Sequence, residues 1–279
     1  MFKKDIANRF FKSWRKKYDF MPVFIIGCGR SGTTILGKTL SRHPKIKYLN
    51  ERRDLWHEAY PEFNIWDGNN KESILYATEK NIIEKNNEKI RDLFEEQQHL
   101  GQSSILLEKL PINNFRLKFL QASFPEAKYI YLTRNGLEVS LSIEKKIEKR
   151  NWFAGKKLPL LIKFGEQNKY PIKENISTNI EKAMWEWRIS IDQSDLFFKN
   201  LASENFIHLS YEDFVDKSEE CVTKILEFLN LDFSEKFLCE ICSSIQRKNE
   251  SIKNIDDNSL LKIGGSILSQ TVNNTYCPI

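Results

Sequence analysis

Residues 23–28 read VFIIGC, and the chain then turns through Gly27, Gly29 and Gly32 into a helical pattern over residues 33–41. A short unbroken apolar run of this kind predicts a strand buried on both faces, as in a parallel sheet covered by helices on each side. The same signature recurs. SILL at residues 104–107 and KYIYLT at residues 128–133 read as further strands, as do residues 46–49 and 205–210. Helical patterns lie between them over residues 113–122, from about 137, over 179–200 and over 219–229. Strands alternating with helices predict parallel βαβ units wound into one α/β sheet. Residues 67–100 are rich in Asn, Lys and Glu and read as partly helical, and residues 247–258 read as a polar loop.

Composition narrows the function classes. The chain has 279 residues, 41% hydrophobic and 29% charged, an ordinary globular balance. The 43 basic and 38 acidic residues leave +5, which suits a small anionic ligand and falls short of a nucleic-acid surface. No stretch reaches the ~18 apolar residues of a membrane span, and no secretory leader pattern opens the chain. Five scattered cysteines (Cys28, Cys221, Cys239, Cys242 and Cys277) point to reduced thiols and a cytoplasmic setting. Cys239 and Cys242 form a CxxC without a second pair or a His cluster, so no metal is expected there. Residues 1–20 place Phe2, Ile6, Phe10, Trp14 and Tyr18 at steps of four among lysines and arginines. That is a basic amphipathic helix, open to two readings: packed on its own domain, or lying peripherally on a membrane or partner. Residues 21–279 are read as a single domain.

The strongest motif is Gly27-Cys28-Gly29-Arg30-Ser31-Gly32-Thr33-Thr34, between a predicted strand and a predicted helix. Glycines let the backbone curl around a phosphate, and the loop amides and helix N-terminus then face the anion. The glycine spacing matches a Walker A loop, but Thr33 stands where that motif has lysine, and the basic residue is Arg30. The strand at 128–133 ends in Thr133 and Arg134 rather than a Mg²⁺-holding carboxylate. The loop is equipped to hold phosphate and not to hydrolyse ATP.

In these residues the chain resembles the sulfotransferases that use 3′-phosphoadenosine 5′-phosphosulfate. Their loop of the form [K/R]-[S/T]-G-T-T corresponds to Arg30-Ser31-Gly32-Thr33-Thr34. Their second signature, an arginine with a serine eight residues on, corresponds to Arg134 and Ser142. Within the family the chain is most similar to the tyrosylprotein sulfotransferases and a broad bacterial group like them, over residues 22–54, 107–142 and 183–233. Glu108-Lys109-Leu110-Pro111, Phe124-Pro125-Glu126-Ala127-Lys128, Trp187 and Tyr211-Glu212-Asp213 carry that similarity. The resemblance implies a P-loop NTPase-like, three-layer α/β fold with a central parallel sheet. It also implies transfer of a sulfuryl group to a hydroxyl acceptor without a metal.

The resemblance further implies roles. Residues 30–34 would hold the 5′-phosphosulfate, and Arg134 and Ser142 the 3′-phosphate. Glu51 would be the general base, seventeen residues after Thr34, with His57 as the competing base. Arg30 and Lys109 would steady the leaving oxygen. Tyr211 is expected against the adenine, and Arg53 is the candidate for contact with the acceptor. Sugar, lipid-linked glycan, tyrosine and small-alcohol acceptors stay open. The alternatives are a P-loop kinase or a non-catalytic nucleotide-binding protein. His43, His99 and His208 carry no motif, and Trp152, Trp185 and Trp187 are open to two readings, lining an acceptor pocket or packing in the core, with the core expected for most.

Overall fold

The computed structural model describes residues 20–149, 151–170, 176–245 and 257–272. The expected basic helix over residues 1–19 therefore lies outside the described residues, as do Cys277 and most of the 247–258 stretch. In chain order the elements are β1 (Pro22–Ile26), α1 (Thr33–Leu40), β2 (Ile46–Asn50), α2 (Arg53–Ala59), α3 (Glu84–Leu100), β3 (Ile105–Lys109), α4 (Leu117–Ser123) and β4 (Lys128–Thr133). They continue with α5 (Gly136–Lys149), α6 (Lys157–Gln167), α7 (Asn179–Phe198), β5 (Phe206–Ser210), α8 (Tyr211–Asp216), α9 (Ser218–Phe228), α10 (Glu235–Cys242) and α11 (Asp257–Val272). No described helix is long and apolar enough to cross a membrane.

The five strands form one parallel sheet in the order β2-β3-β1-β4-β5. Every residue of β1 and β3 is buried, as the unbroken apolar runs require. Side chains alternate between two cores. Phe24, Leu106, Tyr129 and Tyr131 face Trp56 of α2, Phe94 of α3, Phe119 of α4 and Ile189 of α7. Val23, Ile25, Leu107, Ile130 and Leu132 face Leu36 and Leu40 of α1, Phe214 of α8 and Val222 and Ile225 of α9. The expected three-layer α/β architecture is thus present.

Register positions the site. Ile25 pairs with Lys109 on one side and Ile130 on the other, and Asn50 pairs with Lys109. The segments leaving β1, β2, β3 and β4 therefore emerge along one edge, where open α/β sheets bind ligands.

The helix expected over residues 113–122 is divided. Pro111–Phe115 forms a 3₁₀ turn, and α4 starts only at Leu117. Arg116 is the reason. It is buried with a non-helical backbone (φ −128°, ψ 17°), and its guanidinium donates to the carbonyls of Phe63, Ile74 and Leu75. Those bonds tie the segment around residues 63–75 to the core.

Candidate active site

The loop after β1 is shaped to receive an anion. Gly27 N–H donates to Asn114 Oδ1 (3.1 Å), and Ser31 N–H donates to Cys28 O (3.1 Å). Arg30 and Gly32 both take positive φ, 74° and 93°. Gly32 is the N-cap of α1, and no side chain caps the first-turn amides of that helix. They are left for an outside partner. Ser31 is fully buried, and its Oγ has no hydrogen-bond partner. An orphaned hydroxyl beside an uncapped helix start fits a phosphate-bearing ligand. Thr33 is buried and Thr34 half-buried at that start, while Arg30 is exposed.

Arg134, just past β4, folds back over this loop. Its Nη1 donates to Arg30 O (3.0 Å), and its Nε and Nη2 donate to Glu138 Oε2 (3.1 and 2.6 Å). Ser142, two turns along α5, accepts from Arg30 Nε (3.1 Å). The structure therefore brings Arg134, Ser142 and the loop together across about a hundred residues of chain. Tyr211 is buried, with the Arg134 guanidinium 4.2 Å above its ring. A Cβ on Gly32 would come within 2.3 Å of the same ring. Tyr211 thus lies against both the loop and Arg134.

Glu51 follows β2 with φ 55°. Its N–H donates to Lys109 O (2.9 Å), which fixes it at the end of β3. Lys109 Nζ donates to Glu51 Oε1 (2.6 Å), and Arg53 Nη2 donates to Oε2 (3.1 Å). Burial pushes the Glu51 carboxyl up, but the charges and hydrogen bonds of Lys109 and Arg53 outweigh it, so the net shift is downward. Lys109 is 1% exposed and Glu51 34%, so the carboxylate is the reachable half of the pair. Arg53 stacks over Trp66 at 3.8 Å. His57 stands on the exposed face of α2.

Further charged residues near this edge are buried without a role assigned from the sequence. Glu108 is fully buried beside Lys109 and accepts from Trp56 Nε1 (3.2 Å) and Asn113 Nδ2 (3.0 Å). Desolvation pushes its carboxyl up to about 8, against the lowering effect of Trp56 and Lys109. The folded state therefore holds a proton that the unfolded chain releases above pH ~4.3. Stability from this group is present at low pH and declines as pH rises toward 8. Glu108→Gln is expected to flatten that decline, seen as a smaller fall in Tm between pH 5 and pH 8 than in the wild type. An equal fall in both proteins would count against a protonated Glu108. Lys157 and Glu186 form a buried ion pair (2.7 Å), and Glu186 also accepts from Trp152 Nε1.

Of the residues without motifs, His43 is buried with Nε2 3.0 Å from Asp232 O, and His208 Nε2 lies 2.9 Å from Thr133 Oγ1. Both serve local structure. Trp185 and Trp187 are core residues, and Trp187 Nε1 donates to Arg134 O (3.2 Å). Trp152 is different: it is partly buried and packs on Gly29 of the loop.

A family model described as "Sulfotransferase family" matches residues 22–235, which includes the 60–103 stretch where the sequence alone carried no resemblance. The chain is 23% identical to "Protein-tyrosine sulfotransferase A" of Caenorhabditis elegans over 90% of its own length and 63% of that protein. It is 22% identical to an uncharacterized protein of Aquifex aeolicus over 84% of its length. The chain spans 28% and 63% of these two relatives' lengths, respectively. Among solved structures, a sulfotransferase from Mycobacterium avium superposes with a TM-score of 0.54 at 13% identity, covering 97% of this chain and 80% of that one. That likeness is one of fold. The chain belongs to the sulfotransferase family.

Proposed function

We propose that this member of the sulfotransferase family moves a sulfuryl group from 3′-phosphoadenosine 5′-phosphosulfate to a hydroxyl acceptor, with Glu51 as general base. The observation that carries the reading is a convergence at one sheet edge. The anion loop, Arg134 and the Glu51–Lys109 pair meet there. The co-substrate supplies an activated sulfuryl group on a phosphate leaving group.

This chain's residues supply the rest. The amides of residues 32–34 and the Ser31 hydroxyl hold the 5′ end, and Arg134 with Ser142 holds the 3′-phosphate. Arg30 and Lys109 offset negative charge on the departing oxygen. Glu51, held in place by Lys109 and Arg53, is the carboxylate assigned to receive the acceptor proton. Arg53, stacked on Trp66 and bonded to Glu51, is the residue assigned to contact with the acceptor. A kinase or NTPase reading has little support, because β4 ends in Thr133 and Arg134 without a metal-binding carboxylate.

The experiment is a transfer assay. Purified protein receives sulfur-labelled co-substrate with panels of sugars, tyrosine peptides and small alcohols, in the absence of metal. Label transferred to an acceptor supports the reading, and nucleotide binding with no transfer to any panel would favour a non-catalytic role. Arg134→Ala is expected to weaken 3′-phosphoadenosine 5′-phosphate binding by about 1.5–3 kcal/mol, the scale of hydrogen bonds to a charged group. Unchanged affinity would remove Arg134 from the 3′-phosphate.

A further inference from the structure

Lys157 and Glu186 are both nearly out of solvent, with side chains 7% and 5% exposed. A buried ion pair gives little net stability over an apolar replacement, so its geometry deserves a reason. Both Glu186 oxygens are used. Oε1 accepts from Lys157 Nζ (2.7 Å), and Oε2 accepts from Trp152 Nε1 (2.7 Å). Lys157 Nζ also lies 4.2 Å above the Trp152 ring, so the indole is fixed by its N–H and by its face. The far edge of that indole meets the phosphate loop. A Cβ on Gly29 would stand 2.7 Å from Trp152 Cζ2 and 2.8 Å from Cη2.

Cys28 is buried in one cluster with Met184, Trp187 and Ile191 of α7. Trp187 also donates to the Arg134 carbonyl. This stretch of α7 thus meets the loop after β1 at Cys28 and, through Trp152, at Gly29, and it holds the loop after β4 at Arg134.

We propose that Glu186 is a positioning residue for the nucleotide site: paired with Lys157, it holds Trp152 against Gly29 and so fixes the phosphate loop. It acts on the ligand only through the loop. The nucleotide part of the test rests on the function proposed above, and the loop part does not.

Cys28 reports the loop directly. Its thiol is 1% exposed, and burial raises its pKa, so it is slow to alkylate in the closed arrangement. Cys221 and Cys242 are buried in the core on the opposite side of the sheet and serve as internal controls, and exposed Cys239 serves as the fast reference. The experiment is timed N-ethylmaleimide labelling of the full chain, read by peptide mass spectrometry, for wild type, Glu186→Gln and Trp152→Phe. Trp152→Phe keeps the buried ion pair and decides the matter if Glu186→Gln does not fold.

Cys28 labelling is expected to rise about tenfold or more in the variants, with Cys221 and Cys242 unchanged, as a local opening would give. In parallel, affinity for 3′-phosphoadenosine 5′-phosphate should fall about tenfold. Unchanged Cys28 labelling would overturn the proposal. So would a rise shared equally by Cys221 and Cys242, since that marks general loosening. If Cys28 opens but wild-type protein does not bind the bisphosphate, the clamp stands and the nucleotide reading fails.

Discussion

Glu51→Gln should lower turnover by roughly 10²–10⁴, the usual worth of a positioned general base, while leaving nucleotide affinity nearly intact. The geometry supports that separation. Glu51 is the solvent-facing partner of the pair, and Lys109 lies behind it at the end of β3. Glutamine keeps an oxygen for Lys109 Nζ, so the pocket keeps its shape, but it cannot take a proton. The comparison is made with any acceptor on which the wild type releases 3′-phosphoadenosine 5′-phosphate faster than without acceptor. Full turnover by the variant would transfer the role elsewhere, with His57 the nearest competitor in sequence. The two substitutions also separate the halves of the site, because Arg134→Ala acts on binding and Glu51→Gln on the chemical step.

Gly32→Ala should abolish nucleotide binding in practice, with affinity lower by at least about a hundredfold, or ~2.7 kcal/mol. Two effects act together. Gly32 has φ 93°, a left-handed conformation that strains an L side chain by about 1–3 kcal/mol. The new methyl would also lie 2.3 Å from Tyr211 Cδ2, and overpacking of a buried site costs about 1–3 kcal/mol more. Tyr211 cannot retreat easily, since Arg134 lies on its ring. The relief available is movement of the loop, which carries the amides away from the ligand. Gly68→Ala is the matched control, because its Cβ would meet only Gly155 Cα at 3.9 Å. Its Tm and nucleotide affinity should stay at wild-type values, and binding retained by Gly32→Ala would mean that the loop does not hold the phosphate.

What the sequence made legible follows from where its signals are local. β1 and the first half of β3 are short apolar runs buried on both faces, and all five strands are found within a residue or two of their expected places. The loop from Gly27 to Gly32 is legible for the same reason, since a tight anion-binding turn restricts residue type at every step. Arg134 and Ser142 were legible as a spacing from the end of a strand into the next helix, although their contacts with Arg30 depend on the sheet bringing β1 and β4 side by side.

The buried charges were not legible. Glu108, Arg116, Lys157 and Glu186 would each be placed at the surface by hydropathy, and each is buried by partners distant in sequence or by backbone carbonyls. Trp152 was open to a core or a pocket reading, and its contact with Gly29 was not legible, since it depends on Glu186 of α7 holding the indole N–H. Tyr211 was expected to offer a face to the adenine. The structure adds that its ring lies against Gly32 and under the Arg134 guanidinium, contacts that depend on the sheet placing β5 beside β4.

The most direct measurement is isothermal titration calorimetry of the full chain with 3′-phosphoadenosine 5′-phosphate, without metal, beside a titration with ATP and Mg²⁺. The expected result is a Kd of about micromolar for the bisphosphate, ~−8 kcal/mol, with ATP at least about tenfold weaker. Preference for ATP, or no heat from the bisphosphate with a folded sample, would contradict the assignment of the loop and Arg134 to this nucleotide.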